Sequence, residues 1–454
     1  MARSATPSRK TSGVPDGTRE PAERAPRYVG SKRGKEVAAV ALGRRERREG
    51  TWASAEWLRG HSGLPSVACC QLTPIAGEAG AVLALGGGQA RFQGLKRCSS
   101  PWSCPSCATR IGAGRATDLT LALQTWHARG HSVAMATLTM RHARGDDLTD
   151  LWDAKAAAWA SVRQSSALRR PVAGSDLDVA SLAGYVVKTE VTDGDNGWHL
   201  HLHVLVFMRC GPAEASVGLD AWCAAARPLW GRTLGRRGYA PGDEHGLRVA
   251  LIRRGHEAGD VAAYVSKDGA PAEAVAREMA LDVGKSARGR HRNQWGLLGG
   301  AIAGDGVAAA RWAEWESSSK GRRAIVWTKA LRRELLTVPD LTDEELAAVD
   351  EPAVGLVGLH GESWRVVRRS GGVCRLLDAA EDGYRVERDA GGSHWQALQA
   401  AQDDVVGLLC DFGVPEHRFR ALRLPVPLDL PAVVGREPFV PTQLALHGGP
   451  DSTV

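Results

Sequence analysis

Apolar and polar positions follow a regular pattern between residues 133 and 164. VAMATLTM (133–140) has the apolar composition of a buried strand, and a polar turn follows it. LTDLWDAKAAAWASVRQ (148–164) spaces its apolar residues at helical intervals, with Thr149 in the position of an N-cap. This stretch therefore predicts a strand, a turn and an amphipathic helix.

The next stretch predicts a β-hairpin. Apolar strand patterns over residues 184–191 and 198–207 flank the turn-forming run TDGDNG. A helix over residues 213–230, a strand over 246–253 and a short helix that begins near Asp260 follow. Strands that pair with their neighbours, with helices between them, predict an α+β fold built on a central antiparallel sheet.

Composition divides the chain into four segments. The 454 residues are too many for one ordinary core. Residues 1–50 are rich in Ser, Pro, Gly and Arg, which predicts a disordered basic arm. We expect a Cys-rich segment over 51–125 and the main α+β domain over 126–335. Residues 336–454 form an acidic C-terminal region, for which we expect a small domain.

Charge is distributed unevenly along the chain. Residues 1–50 hold 13 basic and 6 acidic side chains, residues 51–334 hold 35 and 26, and residues 335–454 hold 10 and 19. The basic core favours a polyanionic partner such as nucleic acid. A membrane span would need about 18 consecutive apolar residues, and a secretory signal would need an apolar stretch after the basic N-terminus. The sequence has neither pattern, so we expect a cytoplasmic protein with no membrane partner.

The stretch GWHLHLHVLVF (197–207) is the first candidate for chemistry. Alternate residues of a strand point to the same face, so His199, His201 and His203 share one face. Neighbouring pairs, about 6.5–7 Å apart, can share one ion. The metal pair is therefore His201 with His203, or His199 with His201. Glu190, across the hairpin turn, can add a carboxylate, and such a set suits a divalent ion with open positions.

Simpler interpretations of this strand exist. The histidines can be hydrogen-bonded to neighbours without any ion, and Glu190 can be an exposed strand residue. Val204 and Leu205 follow His203, so the His-x-His-x-Asp-His signature of zinc hydrolases is absent. Attack by a metal-activated water is therefore not the expected chemistry.

The stretch GDVAAYVSKD (259–268) is the second candidate. On a helix, Asp260 and Tyr264 are neighbours four residues apart, and Lys267 lies one turn after Tyr264. A phenol with a pKa near 10 attacks phosphorus only with help from a cation or a base, which Lys267 and a nearby metal can supply. The alternatives are a surface tyrosine beside a lysine, and an Asp260 that only caps the helix.

A cluster among the nine cysteines is the third candidate. Cys98, Cys104 and Cys107 have the spacing of three zinc ligands, including a Cys-x-x-Cys knuckle. Cys69 or Cys70 is the expected fourth ligand, with His61 in reserve. A redox pair is the alternative, but the thioredoxin-like βαβ setting is missing around Cys104. We expect a structural zinc ion in a reducing cytoplasm.

The run GKSARGRHR (284–292) is strongly basic. The upstream glycine that a phosphate-binding loop requires is replaced by Met279, so this is no P-loop. We expect a loop that contacts a DNA phosphate backbone, the alternative being a solvated charge run. The four basic residues assigned to this contact are Lys285, Arg288, Arg290 and Arg292.

Taken in order, these motifs resemble those of rolling-circle plasmid replication initiators. TLT on the first strand, EVTDGDNGWHLHLHVLVF and then YVSK are similar to the successive motifs of this family, which belongs to the histidine–hydrophobe–histidine (HUH) endonucleases. CSSPWSCPSCATRI resembles the Cys-rich segment of initiators from Gram-positive, especially actinobacterial, plasmids. GKSARGR, QWGLL and WAEWESSSKGRRAIVWTKALR resemble the following portion. The resemblance covers roughly residues 65–335.

The resemblance implies a site-specific nick in one strand of a plasmid origin. It implies that His201 and His203 bind a catalytic Mg²⁺ or Mn²⁺ ion, with Glu190 as the third ligand. Tyr264 would become joined to the 5′ phosphate, and the freed 3′-OH would prime synthesis. Some relatives carry a glutamate where this chain has Asp260, and that glutamate is proposed to activate water at termination.

The implied fold is a central antiparallel sheet with flanking helices, similar to the RNA-recognition-motif arrangement. The implied partners are single- and double-stranded origin DNA, a host helicase and a host DNA polymerase. Two alternatives remain: a transposase or relaxase-like nickase of the same superfamily, and a DNA-binding regulator without catalytic activity.

Overall fold

The computed structural model describes residues 32–75, 80–165, 182–242, 246–252, 279, 291–350 and 352–424, with side chains from residue 43 onwards. The chain divides into two compact units, Met1–Arg47 and Arg48–Val454. The description begins in helix α1 (Lys32–His61). The prediction of a disordered arm over residues 1–50 is therefore wrong from Lys32 onwards. The run KEVAAVALGRRERRE is rich in Ala, Glu and Arg, which favour a helix.

The second unit alternates helices and strands. Its first part contains α2 (Pro65–Ala68), β1 (Ala81–Gly86), β2 (Gln89–Gln93), α3 (Pro105–Ala128), β3 (Ser132–Thr139), α4 (Leu148–Gln164), β4 (Leu182–Gly194), β5 (Gly197–Met208), α5 (Pro212–Gly235) and β6 (Leu247–Leu251). Its second part contains α6 (Gln294–Ile302), α7 (Gly306–Ser319), β7 (Ile325–Trp327), α8 (Lys329–Leu335), α9 (Asp343–Ala348), β8 (Val354–Leu359), α10 (Gly361–Arg369), α11 (Gly372–Asp389), α12 (His394–Asp411) and β9 (Phe419–Ala421). None of the described helices is long and apolar enough to cross a membrane.

A five-stranded antiparallel sheet forms the centre of the fold, with strand order β6-β3-β5-β4-β7. The predicted hairpin is β4 and β5, joined by a two-residue loop between Gly194 and Gly197. Gly197 has a φ of +84°, and a Cβ there would lie 2.9 Å from the Cα of Arg144, so the turn needs glycine. The histidine strand β5 is central, paired with β3 on one side and β4 on the other.

The two faces of β5 contact different helices. Leu200, Leu202 and Val204 are buried in the core that α4 and α5 cover. Leu205 and Phe207 point to the other face and pack in a cluster with residues of α3 and α8. The histidines lie on this second face, at the opposite end of the strand. The alternation of side chains between the two faces of β5 was therefore predicted correctly. The face that carries the histidines is polar at one end of the strand and apolar at the other.

Two details of the predicted helices and strands need correction. Asp147, not Thr149, caps α4: its carboxylate accepts hydrogen bonds from the backbone N–H groups of Thr149 and Asp150 at 2.7 and 3.3 Å. Asp is as good an N-cap as Thr, and only the backbone geometry separates the two positions. Helix α5 also continues to Gly235, past the predicted end at residue 230, and contains Pro228.

A second antiparallel sheet has the order β2-β1-β8-β9. Its first two strands come from the Cys-rich segment and its last two from the acidic C-terminal region. Leu83, Phe92, Leu356 and Trp364 are buried in one cluster beneath it, which α10, α11 and α12 complete. The predicted boundaries at residues 125 and 336 therefore do not separate independent domains, because segments on both sides share this core.

Candidate active site

The site at the polar end of β5 is assembled by strand register. Glu190 on β4 lies opposite His201, and Thr137 on β3 lies opposite His203. His203 Nε2 is 2.8 Å from Glu190 Oε2. One possible ligand atom from each of Glu190, His201 and His203 lies within 4.8 Å of the other two. The set predicted from sequence is therefore brought together.

The ring of His203 is held from its other side. Its Nδ1 lies 3.2 Å from the hydroxyl oxygen of Thr137. Metal-binding histidines usually hydrogen-bond through the nitrogen that does not face the ion, and this contact orients the ring. The opposite nitrogen then faces Glu190. An imidazole nitrogen and a carboxylate oxygen this close require a proton or a cation between them.

His199 belongs to a different part of the cluster. Its Nε2 is 3.0 Å from Nε2 of His201, and its ring packs against His142 with centroids 4.8 Å apart. His142 is bonded through Nδ1 to the backbone oxygen of Asn196 at 3.0 Å. The sequence predicted His142 only as part of a polar turn, because a residue 57 positions before His199 gives no local signal of contact. His291 also approaches His199, with ring centroids 6.4 Å apart.

Burial lowers the pKa of both His199 and His201. The pKa of His201 falls to about 4, first because the ring is desolvated and then because His203 lies close by. The pKa of His199 falls to about 4 for the same first reason, with His201 as the next cause. Both imidazoles are therefore neutral at neutral pH, the form that binds metal ions.

The donor set fits a divalent cation. Two imidazoles and one carboxylate converge from two strands, and all three side chains are partly exposed rather than sealed in the core. Such an arrangement leaves coordination positions open for other oxygen ligands. The residues present therefore match the predicted metal site in type, spacing and exposure.

Most of the other predicted site residues lie outside the described residues. These are Asp260, Tyr264, Lys267, Lys285, Arg288 and Arg290. Arg292 is described: its backbone N–H and C=O pair with those of Asp193 at 2.7 Å each. Its guanidinium lies 2.9 Å from Asp305 and 3.8 Å from Asp193. Two carboxylates thus partly neutralise the charge of Arg292, so this residue is a weaker candidate for a phosphate contact.

Four cysteines form a second cluster with metal-site geometry. The Sγ atoms of Cys70 and Cys107 are 3.7 Å apart, those of Cys98 and Cys107 are 3.6 Å apart, and those of Cys70 and Cys104 are 3.6 Å apart. Zinc bonded to four sulfurs at about 2.3 Å would separate them by about 3.8 Å. None of the nine cysteines, all within the described ranges, forms a disulfide. The cluster therefore fits a tetrahedral Cys₄ zinc site.

The structure distinguishes between the proposed fourth ligands. Cys70 is buried in the cluster, whereas Cys69 is exposed. His61 is bonded through Nδ1 to the backbone oxygen of Trp57 at 2.8 Å. Cys70 is thus the member of this set that completes the site.

Local backbone structure supports the cysteine cluster. Gln71 and Ser99, which follow Cys70 and Cys98, have φ values of 58° and 57°, unusual for residues other than glycine. Such strain persists where surrounding contacts impose it. Cys104 is the N-cap of α3 and Cys107 lies in its first turn, where the helix dipole favours thiolates. Hydrogen bonds from the other thiols, Cys104 first, hold the pKa of Cys107 well below its usual value.

Two curated proteins from Streptomyces are similar to the chain. It is 31% identical over 296 residues to "Protein rep" of Streptomyces lividans, an alignment that covers 53% of the chain and 64% of that protein. It is 28% identical over 156 residues to "Neomycin resistance protein" of Streptomyces cyanogenus, covering 29% of the chain and 35% of that protein. The chain therefore spans less than two thirds of the length of either relative.

The match to Protein rep confirms the resemblance to Rep proteins that the motifs predicted. No family model matches the chain. No solved structure matches it either.

Proposed function

We propose that this protein is a plasmid replication initiator that nicks one DNA strand at an origin through a tyrosine nucleophile. The observation that carries the proposal is the convergence of Glu190, His201 and His203 on one face of the central sheet. The similarity to Protein rep supports the same conclusion from the sequence.

The topology supports an HUH-type fold. From β3 to β6, the described elements are strand, helix, strand, strand, helix and strand. In the sheet these strands have the order β6-β3-β5-β4, with the histidine strand inside. The resemblance implies this RNA-recognition-motif arrangement, with the metal ligands on a central strand.

His201, His203 and Glu190 would hold Mg²⁺ or Mn²⁺, which supplies charge stabilisation at the scissile phosphate when bound. The protein contributes the geometry: β5 places both imidazoles on one face, and Thr137 orients the ring of His203. Because burial keeps His201 neutral, no proton has to leave it before it can act as a ligand.

Tyr264 would be the nucleophile. As the bond between its phenolic oxygen and phosphorus forms, the bond between phosphorus and the 3′ oxygen breaks. The tyrosine gives up its proton and the leaving 3′ oxygen takes one up, so one phosphate ester replaces another. Lys267, three residues after Tyr264 in the sequence, would favour the phenolate. Asp260, four residues before Tyr264 in the sequence, would act in termination.

The products define the expected partners. The 3′-OH would be extended by a host DNA polymerase, with a host helicase opening the plasmid duplex in the cytoplasm. Cys70, Cys98, Cys104 and Cys107 would bind a structural Zn²⁺ ion that holds the start of α3.

The Tyr264→Phe variant tests the proposal. The substitution removes one oxygen, so folding should change little while the nucleophile is lost. We expect the wild-type protein to become linked through Tyr264 to the 5′ phosphate of a cleaved single-stranded origin oligonucleotide in Mg²⁺ or Mn²⁺. Mass spectrometry of the trapped adduct identifies the attached residue.

The controls separate site from mechanism. Attachment at Tyr185 or Tyr239 would show that the nucleophile is wrongly assigned. Full cleavage by the Phe variant would contradict the tyrosine mechanism. Origin binding by the wild-type protein without cleavage, under the same conditions, would instead identify a DNA-binding regulator.

A further inference from the structure

A cleft of about 820 Å³ opens at the β7 edge of the five-stranded sheet. Most of its lining comes from three segments: the loop Cys98–Ser103, which begins at a member of the cysteine cluster, the stretch from Ser319 to Arg333, and residues from Asp340 to Glu344. This space, called here the β7 cleft, is separate from the histidine cluster. None of its lining residues was predicted from sequence to contact DNA.

Four cations of the β7 cleft are exposed and lack acidic neighbours. Lys320, Arg323, Lys329 and Arg333 have no carboxylate within 4.0 Å among the described residues. The acidic groups on the opposite wall are largely engaged: Asp340 lies 3.0 Å from Arg332 and Asp343 lies 2.9 Å from Arg115. Glu344 is the carboxylate of this wall that forms no ion pair among the described residues, and four cations lie opposite it, so the cleft favours a polyanion.

Buried polar groups also line the β7 cleft without a partner. The hydroxyls of Ser103 and Ser319 are buried, each residue is 1% exposed, and neither hydroxyl has a hydrogen bond in the described part of the chain. The indole N–H of the partly buried Trp327 also has no hydrogen-bond partner in the described part of the chain. Buried polar groups are usually satisfied, so three in one cleft indicate a bound group that supplies acceptors. Phosphate oxygens accept from hydroxyls, indole N–H groups and cations alike.

The β7 cleft lies close to the histidine cluster. Ile325, in its wall, pairs with Lys188 on β4, and Lys188 pairs with His203 on β5. Paired strands are about 4.8 Å apart, so the backbones at Ile325 and His203 are separated by about 10 Å. A DNA strand whose scissile phosphate lies at His203 can reach the β7 cleft within a few nucleotides.

We propose that the β7 cleft binds the sugar–phosphate backbone of single-stranded DNA next to the nicked phosphate. This rests on the proposed nicking function for the position of the strand, but not for the binding itself. A single strand fits better than a duplex, because a flexible backbone can follow a recessed cleft beside the edge of a sheet. Basic grooves that follow the backbone bind single strands with little sequence preference.

Fluorescence anisotropy with a labelled oligothymidylate of about 20 nucleotides tests the binding, without added divalent ion. We expect Lys320→Ala/Arg323→Ala to raise the Kd about tenfold and to reduce the slope of log K against log salt by about 1.4, since two phosphate contacts are lost. Arg365→Ala/Arg369→Ala is the matched control: both arginines are exposed on α10, outside the cleft, and should leave the Kd unchanged.

A second variant tests the recessed groups. Ser103→Ala/Ser319→Ala removes two buried hydroxyls without changing charge, and we expect weaker binding of the oligothymidylate with an unchanged Tm. Wild-type affinity in both cleft variants, or an equal loss in the α10 control, would overturn the proposal. So would a loss confined to a duplex of the same length.

Nicking by the wild-type protein is measured separately on origin DNA. If wild-type protein does not nick but the cleft variants lose single-strand binding, the β7 cleft is a DNA-binding site and the proposed nicking function is wrong. If wild-type protein nicks and the cleft variants bind and nick normally, the proposed nicking function is supported and the β7 cleft is not a DNA-binding site.

Discussion

His199, His201 and His203 have different surroundings, although the strand places all three on one face. His203 contacts Glu190 and Thr137, whereas His199 contacts His142 and His201. The difference arises from register: Glu190 lies opposite His201, and residue 199 lies one pair closer to the turn, opposite Thr192. Position along one strand therefore decides which imidazoles share the carboxylate.

His201→Ala and His203→Ala should each reduce cleavage of a single-stranded origin oligonucleotide at least about 100-fold, because each removes a proposed metal ligand. Binding of duplex origin DNA, followed by gel shift, should remain, since base and backbone contacts lie elsewhere. His199→Ala is the matched control and should retain most of the activity. Equal damage from His199→Ala would show that the pair is wrongly chosen.

Lys155 is a buried cation on the other side of the sheet. It is 5% exposed, its ammonium donates to the hydroxyl of Thr189 at 2.5 Å, and it lies 5.1 Å from the ring centre of Trp152. Desolvation lowers its pKa to about 7, with Arg322 as the next cause. The unfolded chain holds this proton up to a pKa near 10.4, so the folded state loses it first as pH rises.

Stability should therefore depend on pH through Lys155. Below about pH 7 both states are protonated and the burial penalty is complete; between about pH 7 and 10 the free energy of unfolding should rise, by at most about 1.4 kcal/mol per pH unit. Lys155→Met should be more stable than wild type at pH 7, and the gap should shrink towards pH 10. Urea unfolding at several pH values measures this, and a gap independent of pH would contradict it.

At the scale of elements, the four clustered cysteines meet at the start of α3. Cys70 follows α2 and Cys98 follows β2, whereas Cys104 and Cys107 lie at the N-terminus of α3 itself. Arg59 on α1 donates to the backbone oxygen of Cys70 at 3.4 Å, which places a cation beside the thiols. The loop from Cys98 to Ser103 then forms one wall of the β7 cleft, so the zinc site would also shape that cleft.

Cys104→Ser should release bound zinc and lower the Tm. Loss of one of four thiolates weakens binding, and a structural zinc ion contributes directly to folding free energy. Elemental analysis of the purified protein and thermal denaturation measure both effects. Cys69→Ser, at an exposed position next to Cys70, is the control and should keep zinc and stability. An unchanged zinc content in Cys104→Ser would contradict the assignment.

At the scale of the whole molecule, the second sheet connects distant parts of the chain. Strand β1 pairs with β8, more than 250 residues later in sequence. Trp364 on α10 is fully buried against Phe92, with ring centroids 4.7 Å apart. Its indole N–H donates to the backbone oxygen of Gln71 at 3.1 Å, beside Cys70 of the cysteine cluster. The C-terminal region thereby supports the cysteine cluster.

Trp364→Ala should therefore reduce stability by about 3–5 kcal/mol. It should also weaken zinc retention against a competing chelator, because Gln71 loses its contact. Trp364→Phe, which keeps a ring but not the N–H, should fall between the variant and wild type in both measurements. If Trp364→Ala keeps full stability, the shared core does not hold the C-terminal region in place.

Local patterns were sufficient to predict much of the central sheet. Alternation over residues 184–207 predicted a hairpin with three imidazoles on one face, and the spacing of Cys98, Cys104 and Cys107 predicted three ligands of a zinc site. Such patterns succeed because the period of a strand or helix depends on residues adjacent in sequence. The helix from Lys32 was missed because composition was averaged over fifty residues that include a Pro- and Ser-rich start.

Only the tertiary structure decided the pairings between distant segments. It chose Cys70 over Cys69, added His142 to the histidine cluster, and joined β1 and β2 to β8 and β9. It also revealed the β7 cleft, whose four exposed cations come from residues 320–333 and whose buried hydroxyls come from Ser103 and Ser319, more than 200 residues apart in sequence. These choices depend on register and on the packing of surfaces far apart in sequence, to which hydrophobic periodicity contributes no information.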